Sequence, residues 1–312
     1  MCRGLSFICP FLPSAAQGRD FPLKGKIGIY IDIIELLLAL NSIALKIPFV
    51  KYHGAGNDFI MIDDREGTIG PLLTTEWIAR ACHRHFGIGA DGMILVQEGE
   101  DEAGFFMKYF NSDGWTSSFC GNGGRCFAAF TEDLEIHGGA FEFLGTDGWH
   151  FSQRDRNNEI SLSMTDVHTI DKLDDKNFVL DTGSPHLVLF TDQLENIEVK
   201  LKGREIRNST PFKEKGINVN FVEILAPGEI KIRTYERGVE DETLACGTGV
   251  VASAIAAAFS TDTNNHSWLV HARGGDLHVD FKHEGDQHFT NVRLTGPAVE
   301  SFRGEIDLLP TS

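Results

Sequence analysis

Tyr109-Phe110-Asn111-Ser112-Asp113-Gly114 leads to Cys120-Gly121-Asn122-Gly123, and Tyr235-Glu236-Arg237-Gly238 leads to Cys246-Gly247-Thr248-Gly249; the cysteine lies nine residues past Asn111 in one case and nine past Arg237 in the other. The two stretches are versions of one another, so the chain carries a duplicated site with one cysteine in each copy. A second trace lies upstream. Gly56-Asn57-Asp58-Phe59-Ile60 places Asn57 63 residues before Cys120, and Gly183-Ser184-Pro185-His186-Leu187 places Ser184 62 before Cys246. Each half therefore reads strand, glycine loop, further strands, cysteine loop, helix.

Small and apolar residues follow each Cys-Gly-x-Gly, Arg125 to Phe130 in one copy and Val250 to Phe259 in the other. The second run is helical by composition and length, and the first follows its pattern. Each cysteine then sits at a helix N-terminus, where unpaired N–H groups and the helix dipole favour a thiolate. Taken alone, a cysteine is more often inert packing, and Cys82 and Cys126 are read that way. One activated cysteine suggests a nucleophile, but two on matched loops suggest a base on one face of a carbon and an acid on the other. The loop amides would hold a carboxylate and stabilise the carbanion. The expected activity is a cofactor-independent racemase or epimerase acting on an acid.

These residues carry a family resemblance. Lys51 to Phe59, Cys120 to Cys126, Gly183 to His186, Asn218 to Phe221 and Tyr235 through Gly249 occur in the order found in diaminopimelate epimerases, which the chain resembles from about Ile47 to Ala298. The resemblance implies an α+β fold of two pseudo-symmetric domains, each a mixed or antiparallel sheet curled around a central helix. It implies that Cys120 and Cys246 are the acid and base, and that the amides of Gly121, Asn122, Gly247 and Thr248 bind the carboxylate at the reacting carbon. Asn57 would lie beside that centre. Asn111, Asn218, Glu236 and Arg237 would hold the distal amino-acid end, Arg237 through its planar fork. His186 and Glu236 would tune the thiols. The family also implies a homodimer, a diaminopimelate substrate and a place in lysine and peptidoglycan precursor synthesis.

The chain departs from the common family pattern at two places: Ser184 stands where asparagine is frequent, and Gly92 where glutamine is. Serine reaches less far than an amide, and glycine offers no side chain. Competing readings make Glu236 and Arg237 a solvated ion pair, Asn57 a turn former and His186 a packing residue. A proline racemase-like enzyme shares the two-cysteine logic, but Asn122 stands where it would have histidine. A binding protein on the same fold would not need both cysteines. A thiol–disulfide oxidoreductase lacks Cys-x-x-Cys, and a thiol hydrolase leaves the second loop idle.

With 312 residues, 42% of them hydrophobic, the chain can bury one large core or two medium ones, and the duplication favours two. The expected divisions are 1–46 as an extension, 47–165 as a first half completed by about 296–306, and 166–295 as a second. Residues 105–110, 178–180, 187–190, 219–225 and 230–235 read as strands, and Thr75 to His85 as a helix stopping at Gly87. The net charge of −17 argues against a nucleic-acid partner and leaves recognition of an acidic substrate to local groups. Six cysteines without a secretory framework point to a reducing compartment, the cytoplasm. Cys82-His83-Arg84-His85 faces different ways on a helix, so no metal site is expected. No cofactor is expected either. In residues 1–46, Pro10 and Pro13 interrupt any signal peptide, and Asp32 and Glu35 break the apolar run Ile27 to Leu45, so no membrane span is expected. An appended helix, a disordered leader or a mis-assigned start are the readings of that segment.

Overall fold

The structure, a computed structural model, describes residues 45–99, 104–117, 119–261 and 265–308. The extension expected over residues 1–46 lies, apart from Leu45 and Lys46, outside the described residues. The chain begins with β1 (Lys46–Gly54), β2 (Asn57–Asp63), helix α1 (Thr75–Cys82), β3 (Gly92–Glu98), β4 (Phe105–Asn111) and helix α2 (Gly121–Asp133). Next come β5 (Phe141–Gly145), β6 (Gly148–Arg154), β7 (Ile160–Ser163), β8 (Ile170–Lys172), β9 (Asn177–Asp181), β10 (Pro185–Phe190) and α3 (Val199–Arg207). It continues through β11 (Asn218–Ala226), β12 (Glu229–Glu236), the short β13 (Asp241–Thr243) and α4 (Gly247–Thr261). It closes with β14 (Ser267–Ala272), β15 (Gly275–His283), β16 (Phe289–Gly296) and β17 (Val299–Asp307).

The order of pairing repeats. From β17 through β1, β2, β3, β4, β5 and β6 to β7, successive neighbours are antiparallel, antiparallel, parallel, antiparallel, parallel, antiparallel and antiparallel. From β8 through β9, β10, β11, β12, β14 and β15 to β16 the same senses recur in the same order. An antiparallel pairing of β7 with β16 joins the two runs. The first run takes its outermost strand, β17, from the other end of the described chain.

Each run wraps one buried helix. Around α2 pack Tyr52, Phe59, Met61, Ile94, Phe143 and Leu162, and around α4 pack Val222, Ile232, Trp268, Val270 and Leu294. Helix α4 is buried on nearly every face, and its alanines at 252, 254, 256, 257 and 258 let strands approach closely while favouring the helix. Burying each larger side chain here, Val251 or Ile255, contributes about 1.5–3 kcal/mol. Helices α1 and α3 cover the outer faces. Helix α1 sets Trp77 and Ile78 on Ile60 and Ile62, and α3 sets Val199 near Leu187, Phe221 and Tyr235.

One expectation is corrected. Helix α1, capped by the Thr74 side chain on the Trp77 N–H at 3.2 Å, ends at Cys82 and not at His85. The chain folds back there, and the N–H groups of Ile88 and Ala90 take the carbonyls of Ala81 and Cys82 that further helix would have used. Gly87 permits this, since a Cβ on it would lie 2.1 Å from the Arg80 carbonyl. The matched tyrosines also differ: Tyr109 packs inward with Phe127, whereas Tyr235 packs outward with Val199 and Leu187.

Candidate active site

Both cysteines lie at the N-termini of the central helices, as their glycine-rich sequels require. Cys120 is the N-cap of α2 in extended conformation, and its carbonyl takes the Gly124 N–H at 2.8 Å. Cys246 immediately precedes α4, and its carbonyl takes the Val250 N–H at 2.9 Å. The two loops meet: a Cβ built on Gly247 would lie 3.5 Å from the Cα of Gly121 and 3.5 Å from Asn122 Oδ1. Leu294 underlies both glycines.

Asn122 straps the loops together. Its Nδ2 donates to the Ala245 carbonyl at 2.8 Å, just before Cys246, and to Asn57 Oδ1 at 3.3 Å. Its Oδ1 accepts from Arg125 Nη2 at 3.0 Å, and Arg125 is wholly buried beneath the loop. The Cys120 thiol donates to Asn57 Oδ1 at 3.7 Å, and Asn57 Nδ2 donates to Asp91 at 2.7 Å. Asn57 is therefore more than a turn former; the turn itself is Ala55-Gly56, both with positive φ.

On the other side, Cys246 Sγ lies 3.5 Å from the Thr248 hydroxyl, which lies 2.9 Å from His186 Nε2. Asn220 fixes the imidazole. Its Nδ2 donates to the Leu187 carbonyl and, at 3.1 Å, to His186 Nδ1, while its Oδ1 accepts from Thr234. The proton then sits on Nε2 and points to the hydroxyls of Thr248 and Ser184. His186 thus reaches Cys246 through Thr248. Burial, helped by the Arg237 charge, lowers its pKa to about 3, so the ring stays neutral.

The remaining expected residues ring the same place. Asn218 Nδ2 donates to Ser184 Oγ at 2.9 Å and its Oδ1 accepts the Arg237 N–H at 2.9 Å. Arg237 gives one guanidinium N–H to the Lys215 carbonyl and forms no ion pair among the described residues, which sets aside a solvated pair with Glu236. Burial raises the Glu236 carboxyl, with the Thr243 hydroxyl opposing. The Asn111 side chain, at the end of β4, has no hydrogen-bond partner among the described residues.

The thiols do not rest as the helix ends alone would have them. Burial pushes Cys120 up to about 11, against the N–H groups of Gly123 and Asn122. Cys246 is raised further, by burial and then by the Glu236 charge, with Thr248 and Gly249 opposing. Desolvation therefore outweighs the helix dipole. A groove of about 610 Å³ across Arg154, Arg156 and Arg293 includes neither cysteine in its lining.

Known proteins resemble this chain over most of its length. The family model described as diaminopimelate epimerase matches residues 49–166 and 178–300. The diaminopimelate epimerase of Flavobacterium psychrophilum is 47% identical over 256 residues, covering 82% of this chain and 98% of that protein. The chain belongs to the diaminopimelate epimerase family. The diaminopimelate epimerase of Chlorobaculum tepidum is 39% identical, over 82% of this chain and 99% of that one. Two solved structures share the fold: a phenazine biosynthesis protein of the PhzF family from Bacillus anthracis and a probable proline racemase from Agrobacterium radiobacter. The first has TM-score 0.62 and 14% identity over 84% of this chain and 99% of that one; the second has 0.59 and 14% over 85% and 94%.

Within the diaminopimelate epimerase family pattern, both departures acquire a setting. Ser184 contacts His186, Asn218 and, at 3.4 Å, Thr248, so the shorter side chain is held inside the second copy's network. Gly92 is required sterically: a Cβ there would lie 2.5 Å from both the Phe110 carbonyl and the Tyr109 ring. Sequence reasoning missed the side-chain contacts of Asn122, Thr248 and Asn220, together with Arg125 and Asp91. A signal existed for Asn220, which shares a strand face with Asn218, and for Arg125, a lone charge in an apolar helix.

Proposed function

We propose that this chain interconverts LL-2,6-diaminopimelate and meso-diaminopimelate without a cofactor, Cys120 and Cys246 working from opposite faces of the reacting carbon. The observation that carries this reading is the meeting of the two Cys-Gly-x-Gly loops, with Gly121 and Gly247 in contact distance at the ends of two helices. The amides of Gly121, Asn122, Gly247 and Thr248 receive the carboxylate. As one sulfur removes the α-proton, those amides stabilise the charge that spreads onto the carboxylate, and the opposing thiol returns a proton to the other face. The raised thiol pKa values suit the task. A buried thiolate is a stronger base toward a weakly acidic carbon, although less of it is present at neutral pH. Arg237, Glu236, Asn111 and Asn218 receive the distal amino-acid end, and Arg237, without an ion-pair partner among the described residues, offers its fork to the second carboxylate. Asn57 and Ser184 flank the reacting carbon.

The repeated order of pairing senses supports a division into halves of 47–165, completed by about 296–306, and 166–295. These halves close on the substrate and exclude water from the carbanion. The enzyme works in the cytoplasm as a homodimer and supplies lysine and peptidoglycan precursors. No helix among the described residues is long and apolar enough to cross a membrane.

The test is incubation of the reduced protein with LL-diaminopimelate in deuterium oxide, with α-deuterium and the meso isomer followed by NMR. Wild type should give both, and Cys120→Ala and Cys246→Ala should each lose turnover by about a thousandfold or more. Wild type that exchanges proline and leaves diaminopimelate untouched would overturn the substrate assignment.

A further inference from the structure

Tyr109 is a polar side chain that the proposed mechanism leaves unused. It is 8% exposed, and its hydroxyl has no hydrogen-bond partner among the described residues. The hydroxyl oxygen is not sealed from solvent, so a ligand can reach it. The ring lies edge-on to Phe59, with centroids 6.0 Å apart, and its outer end covers Gly92: a Cβ at Gly92 would lie 2.5 Å from the ring and 3.1 Å from the hydroxyl oxygen. Tyr109 and Asn111 alternate on β4 and share a face, and Asn111 pairs directly with Gly92. The ring and its hydroxyl thus cover Gly92, which has room for them only because it carries no side chain. Its surroundings are acidic. Burial first, then the charges of Cys120, Glu236 and Asp91, hold the phenol far above its ordinary range, so it stays neutral.

We infer that the Tyr109 hydroxyl binds the distal ammonium group of the substrate, its oxygen accepting a hydrogen bond beside Asn111 and Glu236. A neutral acceptor among carboxylates and thiols suits a cation better than an anion. The inference rests on the epimerase reading given above, and the two are separable by experiment. Tyr109→Phe removes the hydroxyl alone, and since that hydroxyl has no partner among the described residues the fold should stand. Steady-state kinetics with LL-diaminopimelate should show KM raised about tenfold with kcat changed less than about threefold. Inhibition by 2-aminopimelate, which lacks the distal amino group, should differ less than about twofold between wild type and variant. Equal weakening toward both ligands would mean a structural role and overturn the inference, as would an unchanged KM for diaminopimelate. An inert wild type would overturn the epimerase reading and this inference with it; an active wild type with an unaffected variant overturns this inference alone.

Discussion

Asn57 and Ser184 stand at corresponding places in the two copies, yet the groups behind them differ in kind. Behind Asn57 the supports are charged. Asp91 receives Asn57 and Arg84, and Asp58 receives Arg84 at 2.9 Å and Lys51 at 2.7 Å. Behind Ser184 they are neutral: His186, Asn218, Asn220, Thr234 and Thr248 bond one another. Exposure explains the choice. The side chains of Arg84 and Asp91 are 56% and 41% exposed, whereas His186 and Asn220 are wholly buried. Ions are tolerable where water reaches one end of the network, while a network closed off from water is built from dipoles. The duplication has kept the geometry of the reacting groups and replaced their supports according to solvent access.

The largest expected consequence of that difference is in acid. His186 has an ordinary pKa of 6.5 and a folded value of about 3, so between those limits the unfolded chain binds the extra proton. Its contribution is therefore intact above about pH 6.5 and falls as pH drops toward 3, by about 1.4 kcal/mol per unit. Asp58 titrates lower. Burial raises it, but hydrogen bonds from Arg84 and Lys51 win and bring it from 3.8 to about 2, so its contribution survives until pH falls below about 4. Urea midpoints at pH 7.5, 5.5 and 4.5 should fall steeply for wild type and more gently for His186→Gln. Parallel slopes would show that the buried network does not resist protonation.

Next in size is catalysis. Asn57 touches the Cys120 sulfur, while Ser184 reaches Cys246 only through the Thr248 hydroxyl. Asn57→Ala should lower kcat/KM about a hundredfold and Ser184→Ala about tenfold. A larger loss at Ser184 would mean that direct contact with the thiol is not what distinguishes the copies.

The sequence carried the two cysteines, their helices and the face-to-face logic, because duplication repeats local patterns and glycine loops mark helix starts. Strands such as β11 and β12 were legible from β-branched and aromatic runs. Strand β17, Val-Glu-Ser-Phe-Arg-Gly-Glu-Ile-Asp, was not legible as a strand, being mostly exposed and paired with β1 at the opposite end of the described chain, although the segment 296–306 was expected to complete the first half. The tyrosines show a further limit. Met93, second in β3, faces Phe110, while Val219, second in β11, faces Tyr235, so the matched motifs sit one residue out of step. A slip of one residue reverses the face, which turned Tyr109 toward the site and Tyr235 away from it. The supports behind Asn57 and Ser184 come from distant segments and are readable only once folded.

Thr248 offers a sharper cut than Ser184, because its hydroxyl joins His186 to Cys246 and lowers the thiol pKa against burial. Thr248→Val keeps the shape and removes the link. The Cys246 thiol then rises, so the alkaline-rising limb of kcat should move to higher pH, with kcat at pH 7.5 down about tenfold. Cys120 has no such intermediary, and a limb that stays in place would assign it to Cys120 instead.

The smallest effect separates the copies by salt. Arg84 bridges Asp58 and Asp91 at 2.9 and 2.7 Å, but its side chain is more than half exposed, so the pairs are worth little and are screened. Arg84→Met should cost under about 1 kcal/mol in low salt and less near 1 M sodium chloride, where the Debye length shrinks to about 3 Å. Asn220→Leu, on the neutral side, removes the donor to His186 Nδ1 and should cost the same at both salt concentrations, since no ion is involved. If the Arg84→Met penalty were salt-independent, the guanidinium would be acting through hydrogen bonds and packing, and the charged copy would be supported by geometry as the neutral one is.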